Sequence, residues 1–563
     1  MAAPETADPG QADARARPWT AAAVLIAAAL PIWAFLGGPP LTSSSDGRYA
    51  AASRYMADHD TWLIPHIDGE PHLTKPPLIY WAEAAAVEAL GPTEFAVRLP
   101  SALAATLLLV GTFWFARRLY GTGVGMLAAG MLAMMPLFVV VARLTLTDMA
   151  LTLFWSISLA GGFLAVREPG RLRWPALLWA GVALGWLTKP LAPWGAVGIL
   201  AVWLVIARQW RSLLRLRPFS GLVLSLAPVA AWGLLVYQQT PELLEVWDRE
   251  VVERAKGGGR HAEPFWYLFV VFLVAMFPAT GMLELPGVNQ PLRRWKRWFA
   301  EGGDRAFLVL ATIMPVIAFS IPQGKLPTYI LPAAPPLAIL TALMLAKWLG
   351  PWGEGPADDE RLPDVRYTFG IAVSGATLTA IVGGFVVMDG RFWWAPLPFA
   401  LMVLAAAWLW RTWQRGPKAR RRGAAVVFAC WVACCIWGDW LATSILGPTG
   451  PDALYQRIQR ETGIADPAIY TIYHRNYALA FYSGRPAPVI GAVESPADPR
   501  TMMDQAIDTY GRSLVVVCQD DNWEKFADAH PDYADAFEIA FDWSAIHTTK
   551  TRLILTLREG STP

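Results

Sequence analysis

Residues 148–166 read DMALTLFWSISLAGGFLAV, with a carboxylate at the first position and then no charge until Arg167. At about 1.5 Å per residue such a helix reaches about 28 Å, close to the roughly 30 Å hydrocarbon thickness of a bilayer. Lipid offers no hydrogen bonds to a backbone, so a stretch like this crosses as a helix. Asp148 then marks one edge of the bilayer and Arg167 the other.

Working outward, the same pattern recurs. The sequence predicts thirteen spans, near 18–37, 97–116, 122–142, 148–166, 174–188, 191–207, 219–239, 264–282, 304–322, 328–348, 367–387, 393–410 and 424–446. The fifth and sixth are short and separated by Thr188-Lys189-Pro190, which also fits a tight re-entrant pair. Composition agrees with a polytopic membrane protein. Of 563 residues 55% are hydrophobic and 16% charged, with a mean hydropathy of +0.35, whereas soluble domains carry about 25% charge. The 29 tryptophans suit bilayer interfaces. A net charge of +2 gives no nucleic-acid footprint. Cys430, Cys434, Cys435 and Cys518 form no disulfide or metal spacing. The polar stretch 1–17 reads as a cytoplasmic tail, and the apolar run from Ala21 to Gly37 as an uncleaved first span, since it is long for a signal core.

Orientation follows from arginine and lysine. With the amino terminus cytoplasmic, every second loop is basic: Arg117 and Arg118; Arg167, Arg171 and Arg173; Arg208, Arg211, Arg215 and Arg217; Arg293 to Arg297; Arg411 to Arg422. The protein is thus expected in a bacterial inner membrane with its other loops facing the periplasm. An odd span count puts residues 447–563 on that outer side. This polar region reads as a small α/β domain, with strand-like runs at Ala468–Tyr473, Leu514–Cys518 and Leu553–Leu557 and helical patterns around 453–462, 499–510 and 522–529. The domain plan is a transmembrane domain, 18–446, with a large first outer loop, 38–96, followed by the α/β domain.

The outer loops hold most residues suited to chemistry: Asp46, Arg48, Tyr49, Lys75, Glu83 and Arg98 in or beside the first, then Arg143 and Asp148, Lys189, Arg254 and His261, and Lys325 with Tyr329. Charges near a bilayer are costly, and several on one side suggest a shared polar cavity. Within the first loop, Ser43 to Asp46 can cap a helix running through Ala57, and Lys75-Pro76-Pro77 precedes an apolar helix over Leu78–Leu90. Both are too short to span and are expected at the interface.

Asp46-Gly47-Arg48-Tyr49, Lys75-Pro76-Pro77-Leu78-Ile79-Tyr80-Trp81 and Glu94 to Ser101 resemble the aminoarabinose transferase-like and protein-mannosyltransferase-like group of GT-C membrane glycosyltransferases. So do Ala142 to Met149, Leu187-Thr188-Lys189-Pro190, Pro264-Phe265-Trp266-Tyr267, Gly324 to Tyr329 and, in the tail, Ala480 to Pro486. Seven segments in order between about 20 and 345 make the resemblance specific. It implies a mainly helical fold with interfacial helices and a periplasmic carboxyl-terminal domain. It also implies a polyprenyl-phosphate-linked sugar donor, and an acceptor that is a lipid A phosphate or, in the mannosyltransferase relatives, a protein hydroxyl. Gly47 and Thr74 stand where the family often has acidic residues.

In an inverting transfer the donor's phosphate departs as an anion, and its growing charge needs fixed cations. Lys75, Arg254 and Lys325 are the first candidates, with Lys189, Arg48 and His261 beside them; the bland reading is snorkelling towards lipid headgroups. Asp46 is read as a base or an orienting group and Asp148 as a second catalytic carboxylate, each against the simpler role of helix cap. Arg143 near Asp148 argues for function there. Tyr49 and Tyr329 are read as substrate contacts. No metal ligand set is assigned: His59, His66 and His72 have no zinc spacing, and a divalent metal remains open. The expected partners are the donor lipid, lipid A or another envelope acceptor, and membrane lipid. Against an enzyme stand a transporter, which usually carries internal repeats, and a scaffold, which would not need clustered cations.

Overall fold

The computed structural model describes residues 18–41, 45–248, 262–282, 303–349, 417–491, 498–544 and 551–558, with a few positions between 404 and 408. Arg254, His261 and the predicted span at 367–387 lie outside the described residues, as does most of that at 393–410.

The helices follow the apolar runs. In chain order they are α1 (Pro18–Trp33), α2 (Ser45–Asp58), α3 (Leu78–Leu90), α4 (Glu94–Tyr120), α5 (Thr122–Ala133), α6 (Pro136–Val141), α7 (Thr147–Arg167), α8 (Arg173–Trp186), α9 (Trp194–Ile206), α10 (Pro218–Gln239), α11 (Tyr267–Ala275), α12 (Asp304–Ser320), α13 (Ala334–Leu349) and α14 (Pro417–Leu446). Among the described residues five helical stretches are long and apolar enough to cross a membrane, including α4, α7 and α10. Two predicted spans are interrupted. The run 122–142 breaks between α5 and α6, where Pro136 lacks the amide needed to continue the ladder. The tenth begins as a 3-10 turn, Pro327–Ala333, before α13. Helix α7 packs against α8 through Gly161, where an added Cβ would come within 2.6 Å of the Leu178 backbone nitrogen. Small residues at such crossings let two helix backbones approach.

The two ends of α7 carry different chemistry. At its carboxyl end Arg118 pairs with Glu168, Arg167 with Asp304, and Arg215 donates to the Val166 carbonyl. Among the described residues, the basic loops after α4, α7 and α9 therefore gather at this end of α7. At its amino end lie Thr145, Asp148 and their partners, about 30 Å away by helix rise.

Helices α2 and α3 flank a short hairpin, β1 (His66–Ile67) and β2 (Glu70–Pro71). Asp68 and Gly69 form its turn at φ 55° and 84°. Both central residues at positive φ are what a tight turn matched to strand twist requires, and Asp-Gly supplies them. Helix α15 (Pro451–Thr462) opens the carboxyl-terminal region. Then come β3 (Ala468–Ile472), α16 (Tyr477–Ser483), β4 (Val489–Ile490), α17 (Pro499–Tyr510), β5 (Leu514–Gln519), α18 (Asp520–Ala529), α19 (Pro531–Ala536), β6 (Phe537–Trp543) and β7 (Arg552–Leu557). The sheet order is β4-β3-β5-β7-β6, with β4, β3 and β5 parallel and β7 antiparallel to both β5 and β6.

This region is docked on α2, α3, the start of α4 and the hairpin by specific contacts. Helix α16 buries Ala478 and Phe481 among Leu41, Ala50, Ala86 and Val97. Tyr482 receives the Leu41 amide at 2.8 Å and donates to Glu94 Oε1 at 2.9 Å. Arg54 donates to the Phe481 carbonyl, and the Ala487 amide donates to Asp68 Oδ1 at 3.1 Å.

Candidate functional site

Three polar groups meet where α2, α3, α7 and the 3-10 turn at Pro327–Ala333 converge. The first is built on Asp46, 3% exposed in the first turn of α2. Its Oδ1 accepts from the Thr145 amide at 2.9 Å and the Thr145 hydroxyl at 3.0 Å, and its Oδ2 faces Arg98 Nη2 at 3.3 Å. Arg98 also donates to the carbonyls of Leu36, Pro39 and Pro40. The carboxylate is thus held by both its oxygens and ties α2 to α4 and to the segment before α7.

The second group is Asp148 with Lys189, Tyr49 and Tyr329. Lys189, at the turn after α8, places its ammonium 3.1 Å from Asp148 Oδ1 and 4.0 Å from the Tyr329 ring centroid. Tyr49 is buried and stacks on Tyr80 at 5.4 Å, and its phenol bonds the Thr147 side chain. Tyr329 sits on Phe319 at 5.6 Å between centroids. A tyrosine face and a carboxylate around one buried ammonium satisfy its charge without water.

The third group is Arg48, His72 and Lys75. Arg48 lies 5.5 Å from the Tyr49 ring centroid, and Lys75 donates to the Thr74 carbonyl at 2.9 Å. His72 shares a 2.9 Å hydrogen bond between its Nε2 and the Thr74 hydroxyl and meets Tyr80 edge-on. Burial, together with the charges of Arg48, Lys75 and Arg475, pushes the imidazole down to about 3, so the ring is neutral at physiological pH. Nearby, Glu83 is fully buried and accepts from Ser53 at 2.7 Å. Burial holds its carboxyl well above the ordinary range, with a further push from Asp46, so the fold favours its protonated form.

The residues singled out by sequence are distributed as follows. Asp46, Arg48, Tyr49, Lys75, Asp148, Lys189 and Tyr329 come together. Lys325 is 3% exposed, but its ammonium donates to the Glu263 carbonyl at 2.5 Å, beside an isolated bridge between Ala262 and Gly324. Its ammonium thus serves that loop, facing the carbonyls of Glu263 and Gln323. Arg143 does not support Asp148. It donates to the carbonyls of Pro31, Ile32, Ala34 and Phe35, capping the end of α1, and pairs with Asp439 of α14 at 3.2 Å. Its adjacency to Asp148 in sequence is misleading because the chain turns between them. Arg98, Thr145, His72 and Glu83 also belong to the site: Arg98 and Glu83 were noted in the first outer loop and His72 only against a metal role, none with a part in the reaction, and Thr145 was given no role. Three have side chains common in helices and loops, and only their partners, 30 to 99 positions away, distinguish them. Among the described residues no group of three or more His, Cys, Asp or Glu is arranged to hold a metal ion.

Residues 74–234 match the family described as dolichyl-phosphate-mannose-protein mannosyltransferase. The chain is also similar to the undecaprenyl phosphate-alpha-4-amino-4-deoxy-L-arabinose arabinosyl transferase of Edwardsiella ictaluri, at 32% identity over 57% of this chain and 58% of the relative. The protein of that name from Pseudomonas savastanoi is 31% identical over 58% of this chain and 61% of the relative. The chain therefore spans less than two thirds of the length of these relatives. Among solved structures, ArnT from Cupriavidus metallidurans bound to undecaprenyl phosphate superposes with a TM-score of 0.74 at 20% identity, covering 97% of this chain and 100% of that one. Its apo form gives 0.72, covering 95% and 97%. The chain is an integral membrane protein with the GT-C helical fold, and the resemblance read from its motifs is to the aminoarabinose transferase-like group.

Proposed function

We propose that this protein is an inverting glycosyltransferase of the bacterial inner membrane, moving a sugar from a polyprenyl-phosphate donor to an acceptor on the periplasmic face. The charges of Arg48, Lys75 and Arg475 all act on the neutral His72 imidazole, and Arg48 acts together with the Asp148–Lys189 pair on the Tyr49 phenol. That concentration of positive charge carries the reading: a departing lipid phosphate needs fixed cations where its charge grows, and preorganised ones cost no reorganisation during the reaction. Lys75 and Arg48 hold the donor phosphate, with Arg254, His261 and Lys325 as further donor contacts from the later loops. Lys189 is oriented by Asp148, and Tyr49 and Tyr329 border the sugar.

The acceptor oxygen attacks the anomeric carbon as its bond to the donor phosphate breaks, and the lipid phosphate leaves with the electron pair. A hydroxyl acceptor would need a base, whereas a phosphate already carries the nucleophilic oxygen. Asp46 spends its oxygens on Thr145 and Arg98, which favours an orienting role and a phosphate acceptor. Lipid A or another envelope glycolipid supplies one, and the relatives' aminoarabinose is the sugar to try first. The protein-hydroxyl reading asks Asp46 to leave those partners.

Purified protein in detergent with radiolabelled undecaprenyl-phosphate aminoarabinose and lipid A should yield labelled lipid A. Lys75→Ala should lower the rate about a hundredfold or more, the scale of losing one preorganised charge contact. No transfer by the wild type onto any phosphorylated envelope lipid, or normal transfer by Lys75→Ala and Asp148→Asn alike, would overturn the reading.

A further inference from the structure

The carboxyl-terminal sheet has a crevice of its own. Strands β3 and β5 are parallel neighbours, Ala468 to Thr471 pairing with Leu514 to Val517. From the carboxyl end of β3 the chain turns to β4 on one side; from the carboxyl end of β5 it runs through α18 and α19 to β6 on the other. Two connections leaving adjacent strand ends in opposite directions open a gap between them, the place where open α/β sheets take ligands. A small, half-open cavity lies there, lined by Thr471, His474, Asn476, Cys518, Gln519 and Arg552. Arg552 arrives from β7, where it pairs with Gln519, the last residue of β5.

Two of these side chains are poorly served by the protein. Asn476 is 3% exposed, yet its Oδ1 has no hydrogen-bond partner among the described residues. A buried polar atom left so costs about 1–3 kcal/mol. Arg552 is half-buried with no carboxylate in ion-pair distance among the described residues, and burial alone pulls its guanidinium below its ordinary value. The acidic residues that open α18, Asp520 and Asp521, do not line the cavity. Tyr473, which turns the chain off β3, is held at φ 53°, a conformation that costs a non-glycine residue about 1–2 kcal/mol.

We propose that this crevice binds a phosphate monoester, with Arg552 and His474 meeting the anion and Asn476 accepting from a neighbouring ligand hydroxyl. The cavity has room for about one water-sized group, so a single phosphate oxygen enters and the remainder of the ligand stays at its mouth. The same loop reaches the site described above: Arg475 acts on His72 and Asp68, and Tyr477 packs with Tyr49 and Tyr80. A phosphate held here could be a second phosphate of the acceptor headgroup, which rests on the glycosyl-transfer reading, or free phosphate from solution, which does not.

The test uses the full chain in detergent, titrated with inorganic phosphate and followed by 31P line broadening, for the wild type, Arg552→Gln and Asn476→Asp. The second substitution keeps the shape and adds a repelling charge. Thermal midpoints without phosphate establish that each variant is folded. Saturable binding by the wild type, weakened at least tenfold in a folded variant, supports the site. No saturable binding, or equal binding in both variants, overturns it. Transfer kinetics with phosphorylated lipid A then separate the sources. A fivefold or greater rise in acceptor KM at unchanged kcat in Arg552→Gln identifies the acceptor headgroup; unchanged KM with lost phosphate binding identifies free phosphate. Phosphate binding without any transfer by the wild type would sink the glycosyl-transfer reading and leave this site standing.

Discussion

Lys189 and Asp148 form a buried ion pair at 3.1 Å, with side chains 12% and 9% exposed, and the ammonium caps the face of Tyr329. The turn Thr188-Lys189-Pro190, between α8 and α9, thereby brings a charge to the first turn of α7. The pair gives the site a fixed centre between α2 and α3 on one side and the bundle on the other.

Removing one partner should be worse than removing both. Asp148→Asn leaves a buried ammonium uncompensated and should cost about 3–5 kcal/mol of stability, whereas Asp148→Asn with Lys189→Met should recover most of it. Transfer should remain at least tenfold down in the double variant. Thermal unfolding in detergent beside the transfer assay checks both. Equal stability of single and double variants would show that the pair is not energetically coupled.

Arg98 is predicted to be irreplaceable by lysine. Its guanidinium serves three backbone carbonyls and Asp46 together, a geometry an ammonium cannot reproduce. Arg98→Lys should lose about 2–4 kcal/mol, from two or more hydrogen bonds at about 1–1.5 kcal/mol each. A midpoint within a degree of wild type would contradict this.

His72 sets an acid limit. Its folded value of about 3 lies below its ordinary 6.5, so the unfolded chain binds the proton more readily. Stability from this group is complete above pH 6.5, falls as pH drops from there to about 3, and is absent below. His72→Gln should flatten the stability profile across that window. An unchanged slope in the variant would remove His72 as the cause.

Glu83 works in the opposite sense. Its raised folded value means its contribution is complete below its ordinary 4.5 and is lost as pH climbs towards the folded value. Glu83→Gln keeps the shape and the acceptor for Ser53. It should raise the midpoint relative to wild type at pH 8 and leave it nearly unchanged at pH 4. A midpoint that drops at pH 8 would mean that the charged carboxylate is required.

Much of the scaffold was readable along the chain. The apolar runs located α4, α7, α10 and α12 within a few residues, because length and continuous hydrophobicity suffice to specify a span. Strands β3, β5 and β7 were visible as buried apolar runs. Strand β6, Phe537–Trp543, was missed because four of its seven residues are exposed, among them Glu538 and Asp542. The Asp68-Gly69 hairpin carried its turn signal in plain view but is only two residues long on each side. In the site, Lys189 and Tyr329 were nominated separately, and neither could be matched to its partner. Arg143 was paired with Asp148 by proximity in sequence, and the fold assigns it to the end of α1.

What the sequence alone determined is which runs are apolar enough to form the long helices of the bundle and which loops hold its charges, since both follow from the local cost of placing polar groups in hydrocarbon. What only the tertiary structure decided is which charges meet. Asp46 with Arg98 and Thr145, Asp148 with Lys189, and Arg48 with Lys75 around His72 are contacts between segments far apart in the chain. Their strength depends on distance and burial, which helix packing alone supplies.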